Sequence, residues 1–198
     1  MKPKIEFENT VFIFDSVFYN FIVSDIKRHF ESSLNRKFNP IDLPGLITYL
    51  ALDLGIDRGE NTFQLLWLFD KDTPGLYFTQ PSDFKQDLDG KAFRNDFGEF
   101  LMASVSTENL VTIGELYSEI LQMALESKEV KRIALIADYQ SYGKLLHKLF
   151  DAEEVRKKEK EVILFNMGDA KSQEGVRNEI LAYPLMQALG IRADDLKA

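Results

Sequence analysis

The chain contains no cysteine in its 198 residues. That removes disulfides, thiolate catalysis and every zinc or iron–sulfur site that needs Cys ligands. Histidine is almost as scarce: His29 and His147 are the only two, so a His-rich metal centre is excluded as well. Positive charge is in deficit, with 24 Lys and Arg against 32 Asp and Glu and a net charge of -8. General nucleic-acid binders neutralise phosphates with clustered Lys and Arg, so this balance does not favour an RNA partner and leaves room only for a local basic patch. No apolar run reaches the ~20 residues of a membrane-spanning helix. The N-terminus has acidic residues within its first apolar stretch and lacks the layout of a secretory leader. A soluble cytoplasmic protein without membrane attachment is the expectation.

What the chain does have is enough material for a core: 45% hydrophobic residues, 16 of them Phe. At this length one domain is expected, with at most a short appended element. Three apolar runs end in aspartate: TVFIFD at Thr10–Asp15, LLWLFD at Leu65–Asp70 and IALIAD at Ile133–Asp138. Each reads as a buried strand closed by a carboxylate. The carboxyl ends of parallel strands form one edge of an open sheet, where ligands bind. The three acids are therefore candidates for convergence from distant parts of the chain.

Helical periodicity and punctuation supply the remaining elements. Phe18, Phe21, Ile22, Ile26 and Phe30 recur at helical spacing, predicting a helix from a Ser16 cap to about Leu34. Asp42 and Pro44 open a second helix that Gly55 closes after Leu54. Residues 71–96 hold Pro74, Gly75, Pro81 and Gly90 and read as a long irregular insertion, with a hairpin near Leu76 to Thr79. Phe97 to Val105 reads as a third strand, followed by a helix from a Thr107 cap to about Ser127. Arg132 to Ala137 is a strand, Gln140 to Phe150 a helix and Glu161 to Asn166 a strand. Residues 151–161 read as a solvated charged connector. Strands separated by helices favour parallel pairing. The architecture expected is a three-layer α/β/α sandwich of about five mainly parallel strands over residues 1–168, with a helical extension at 169–198.

This succession resembles the PIN-like superfamily, in particular its NYN branch of nuclease-like domains, over roughly residues 9–168. Active members carry an aspartate at the end of strand one, often in an Asp-Gly-x-Asn turn. FIFDSVFYN supplies Asp15, with Ser16 in place of the glycine, Phe18 at the asparagine position and Asn20 two residues late. The family's acidic pair six residues apart near the helix after strand three is matched by Asn109 and Glu115. Its Ser-Gly-Asp-Ser-Asp-Phe signature is matched, without gaps, by a segment in which Ala137 stands for the serine and Asp138 for the glycine. Tyr139 and Ser141 replace the two aspartates, and Tyr142 the phenylalanine. EVILFNMG resembles the closing strand and its glycine turn.

The resemblance implies a PIN-like fold with an eroded acidic site. Phosphodiester hydrolysis assisted by Mg²⁺ or Mn²⁺ needs several hard oxygen ligands. If the activity is retained, Asp15, Asp138 and Glu115 are the catalytic carboxylates, and Asp15, Asp138 and Asp70 the metal ligands. The favoured expectation is a non-catalytic domain that binds protein or a small ligand, with a metal-dependent ribonuclease as the alternative. Each acid also has a plain structural reading. Asp15 and Asp138 suit helix caps, Asp70 suits the turn DKDTPG, and Glu115 suits a helix surface. Phe18, Tyr19, Tyr139 and Tyr142 serve either base stacking or core packing, and His29 and His147 read as surface or rim residues. The segment 176–191 carries Ile180, Leu181, Leu185, Met186, Leu189 and Ile191. It is expected to be at least half helical and to pack on its own domain, on a second copy in a homodimer or on a protein partner.

Overall fold

The computed structural model describes residues 6–108 and 110–197. The first half of the chain contains strand β1 (Thr10–Asp15), helix α1 (Ser16–Ser33), β2 (Ile41–Asp42), α2 (Leu43–Asp53), β3 (Asn61–Phe69), β4 (Thr79–Gln80), a π-helical turn at Phe84–Leu88, β5 (Ala92–Asn95) and β6 (Gly98–Ser106). There follow α3 (Ile113–Glu126), β7 (Arg132–Ile136), α4 (Tyr139–Phe150), α5 (Glu153–Arg156), β8 (Glu161–Asn166), β9 (Val176–Ile180), α6 (Ala182–Ala188) and a closing 3-10 turn at Ala193–Lys197.

Seven strands form one sheet in the order β5-β6-β3-β1-β7-β8-β9. All pairings are parallel except that of β5 with β6. The short pair β2 and β4 stands apart. The central strands are apolar on both faces because helices cover both. Phe12 and Phe14 of β1 pack with Trp67 into a core shared with α1, α2 and α6. Val11 and Ile13 face the opposite core, with Leu66 and Leu68 against α3 and α4. This is the expected three-layer α/β/α sandwich. The Phe14 and Trp67 rings stack at 3.9 Å across paired strands, which welds β1 to β3.

Two strands beyond the expected five join the sheet. β5 lies inside the segment read as irregular. It forms a hairpin with β6 that turns at Asp96 and Phe97, and the first residue of β6, Gly98, has a φ of 139°. A Cβ at Gly98 would lie 2.1 Å from the Asn61 carbonyl oxygen, so the close passage of this turn by β3 requires glycine. The same segment also buries Leu76, Phe84 and Leu88, apolar anchors that tie the loop to the core. The other added strand is β9. Residues 176–180 extend the sheet parallel to β8, and within 176–191 helix is confined to the seven residues 182–188, which corrects the expectation that this segment is at least half helical. Pro184 does not interrupt α6. It sits in the first turn, where a missing N–H costs little.

Helix starts differ in detail from the sequence reading. The cap of α1 is Asp15, not Ser16. α3 begins at Ile113 rather than after Thr107, because Thr112 and Glu115 form a reciprocal capping box. The 151–161 connector is not wholly solvated: Val155 and Lys160 are buried, and Lys160 Nζ donates to the carbonyl of Val130 at 2.7 Å.

Candidate functional site

Strand order locates the site. From β1 the chain builds outward through β3 and β6 on one side, then returns to place β7, β8 and β9 on the other. The reversal falls between β1 and β7, and a crevice outside the carboxyl ends of the strands at such a switch point is the usual ligand position in open α/β sheets. A cavity of about 540 Å³ opens there. Asp15, Val17, Phe18, Phe21 and Ile22 come to it from the β1–α1 junction. The start of α4 contributes Asp138, Gln140, Ser141 and Tyr142. Ile113 enters from α3, and Met167 and Asp169 from the loop after β8.

Asp15 is 1% exposed. One carboxylate oxygen, Oδ1, accepts the Phe18 amide at 2.9 Å, which caps α1. The other, Oδ2, accepts the Tyr142 hydroxyl at 2.8 Å. Burial raises the Asp15 pKa above its ordinary value, and the nearby charge of Asp138 adds to that effect. The Phe18 amide and the Tyr142 hydroxyl act the other way by stabilising the anion. Asp138 caps α4. Its Oδ1 accepts the Ser141 amide at 3.0 Å and its Oδ2 the Ser141 hydroxyl at 2.6 Å.

Tyr142 links the two acids. Its hydroxyl donates to Asp15 and accepts the Asp138 amide at 3.2 Å. Burial, then the Asp15 charge, push its pKa well above the usual phenol range, so it remains a donor at neutral pH. α4 departs from helical backbone angles at Tyr142. The Tyr142 ring lies against Gly114 of α3, where a Cβ would meet ring atom Cδ1 at 2.9 Å. Tyr117 lies behind it, with ring centres 5.5 Å apart, and donates to the Ile13 carbonyl at 2.8 Å.

Asp15 and Asp138 therefore meet, ending neighbouring parallel strands at one sheet edge. Asp70 does not join them. It follows β3 on the same edge but lines a separate cavity with Lys71, Asp83 and Lys85, and its Oδ1 accepts the Asp72 amide in a tight turn. Glu115 is exposed on the surface of the first turn of α3, where its carboxylate accepts the Thr112 amide at 2.8 Å. Asn109 lies outside the described residues. Among the aromatics, Phe18 lines the cavity, while Tyr19 is buried and bonded to Thr79. His29 is exposed. His147 is half-buried, against Tyr139 and Phe150.

Sequence reasoning did not anticipate three features: the bridging role of Tyr142, and the presence of Met167 and Asp169. The available signal for Tyr142 was its spacing, four residues after Asp138, which returns a side chain over the first turn of its helix. No local pattern marks the loop after β8. Among the described residues, no group of three His, Cys, Asp or Glu side chains is placed to hold a metal ion. The donor set thus does not fit the Mg²⁺ or Mn²⁺ that a nuclease resemblance implies. No described helix is long and apolar enough to cross a membrane.

The sheet and its crevice define an α/β sandwich with a ligand-sized pocket at the switch point. The chain belongs to DUF6621, a family of unknown function whose model matches residues 4–196. No curated protein and no solved structure matches it.

Proposed function

We propose that this chain is a degenerate PIN- and NYN-like domain that acts by binding rather than by catalysis, with its binding site in the crevice between β1 and β7. One observation carries the reading. All four oxygens of Asp15 and Asp138 already accept hydrogen bonds from the fold itself, from the Phe18 and Ser141 amides and the Tyr142 and Ser141 hydroxyls. These carboxylates hold two helix starts and a buried phenol in place. Hydrolysis through a divalent metal would need several carboxylates directed at the ion. The adjacency of β1 and β7 supports the PIN-like half of the reading, because the strands ending in Asp15 and Asp138 are neighbours in that arrangement. The apolar lining from Val17, Phe18, Ile22 and Ile113 supports the binding half, since small-molecule sites are mostly apolar with a few fixed polar groups.

The test incubates the purified full chain with single-stranded RNA and Mn²⁺ or Mg²⁺. The expected result is no cleavage, and no rise in melting temperature with either metal. Cleavage that disappears in Asp15→Asn and Asp138→Asn, both still folded, overturns the proposal in favour of a metal-dependent ribonuclease.

A further inference from the structure

The charged groups at the crevice are of one sign among the described residues that line it. The N-termini of α1 and α4 open on it, and helix N-termini ordinarily attract anions. Here each is already filled by the protein's own carboxylate: the Phe18 amide by Asp15 and the Ser141 amide by Asp138. Asp169 adds a third acid at the mouth, and among the described residues no Lys or Arg lines the cavity. An anionic ligand would therefore meet carboxylates with no compensating cation. The remaining wall is mainly apolar, with Gln140, Ser141 and Tyr142 adding polar groups, and it is partly open. Phe18 and Phe21, three residues apart, share a face of α1. Phe21 is 65% exposed and Met167 36% exposed at the lip, so apolar side chains are open to a ligand there.

From this combination of an apolar, aromatic-edged cavity with carboxylates and no opposing cation, we propose that the crevice binds a small organic ammonium ion carrying an apolar body. The cation faces Asp138 and Asp169, and the body lies against Phe18, Phe21 and Met167. The ammonium group gains from the carboxylate charge, and the apolar body gains from burial against the phenylalanines. The cavity volume of about 540 Å³ lies within the range of small-molecule sites. This inference rests on the binding reading above and names the ligand class for the same site.

The experiment uses three probes that share a phenyl body and differ in charge: 2-phenylethylamine, 3-phenylpropan-1-ol and 3-phenylpropionate. Each is titrated into the isotopically labelled full chain at pH 7, following the backbone amides of Phe18, Ile113 and Ser141. The expected result is saturable shifts with the amine that weaken with added salt, and weaker or no shifts with the alcohol and the carboxylate. Asp138→Asn keeps a capping oxygen but removes the charge, and should raise the amine Kd at least about tenfold. Phe21→Ala, at an exposed position, should raise it as well. The proposal is overturned if the alcohol or the carboxylate matches the amine, if no probe moves the cavity amides, or if both variants bind the amine as wild type does. If Asp138→Asn fails to fold, the charge series on wild type and Phe21→Ala decide alone. A neutral or anionic probe that wins at these amides refutes only the cation and leaves the binding reading standing, whereas metal-dependent RNA cleavage refutes the binding reading itself.

Discussion

The Tyr142 hydroxyl donates to Asp15 Oδ2 at 2.8 Å, joining residues 127 apart in sequence. The bond ties the end of β1 to the first turn of α4 across the switch point of the sheet. It also satisfies a carboxylate that is almost wholly removed from water. Removing one partner of a buried hydrogen bond costs more than the bond itself contributes, because the other group is left desolvated. Tyr142→Phe keeps the ring and deletes only the hydroxyl. It should lower stability by about 1–3 kcal/mol in urea denaturation. An unchanged midpoint and slope would show that Asp15 finds water or another donor instead.

The pH dependence of the same carboxylate has a definite sign. The Asp15 pKa is raised in the fold, chiefly by burial, so the folded protein holds this proton more tightly than the unfolded chain does. Its contribution to stability is full below the ordinary value of 3.8 and is lost as pH rises through the folded value. Asp15→Asn cannot titrate. The stability of wild type relative to this variant should therefore fall as pH increases from about 4 through that window. Denaturation curves for both proteins at a series of pH values read the effect directly. A difference that stays flat across the window contradicts the placement of Asp15 in a desolvated pocket.

Gly114 lets α3 approach Tyr142. Its helical context means that alanine would raise intrinsic helix propensity by about 1 kcal/mol. The added Cβ, however, would come within 2.9 Å of Cδ1 and 3.0 Å of Cγ of Tyr142. These are atoms near the base of a ring confined by Tyr117 and by its bond to Asp15. Overpacking of this kind costs about 1–3 kcal/mol, so Gly114→Ala should destabilise despite the better helix former. A rise in melting temperature would mean that the ring shifts freely.

The C-terminal segment is part of the core. Leu181, Leu185, Leu189 and Ile191 are all buried with α1 and α2, and Arg177 reaches the carbonyls of Asp53 and Leu54 at 3.0 and 3.2 Å. Leu185→Ala should cost about 2–5 kcal/mol and lower the melting temperature of the isolated chain at any concentration. A loss confined to high protein concentration would point to an interface between copies.

How much of this was legible in the sequence varies with the range of the interactions. β1, α1, α2, β7, α4 and β8 carry strong local signals: unbroken apolar strands, helical spacing and caps. Their bounds fall within a few residues of the sequence reading. The expectation that Asp15 and Asp138 share one sheet edge needed only the parallel alternation of strands and helices. β5 and β9 were missed because each is a short edge strand of mixed polarity, AFRN and VRNEI. Such strands form through backbone bonds to a neighbour, and the pattern of their own side chains barely records it. The start of α3 was misplaced because two threonines compete as caps, and only Thr112 has Glu115 three residues on to complete the box.

The sequence by itself determined the layered α/β class and the absence of Cys chemistry and of a His-rich metal centre, and it marked three strand ends with carboxylates. Periodicity and composition are local properties that survive without knowledge of the neighbours. Tertiary structure alone decided which of those carboxylates meet. Strand order placed β7 beside β1, so Asp138 came to Asp15, while Asp70 went to another cavity. It also decided that Tyr142 would join the pair, because a hydrogen bond between residues 127 apart depends on how the sheet is laid down and on the space Gly114 leaves for the ring.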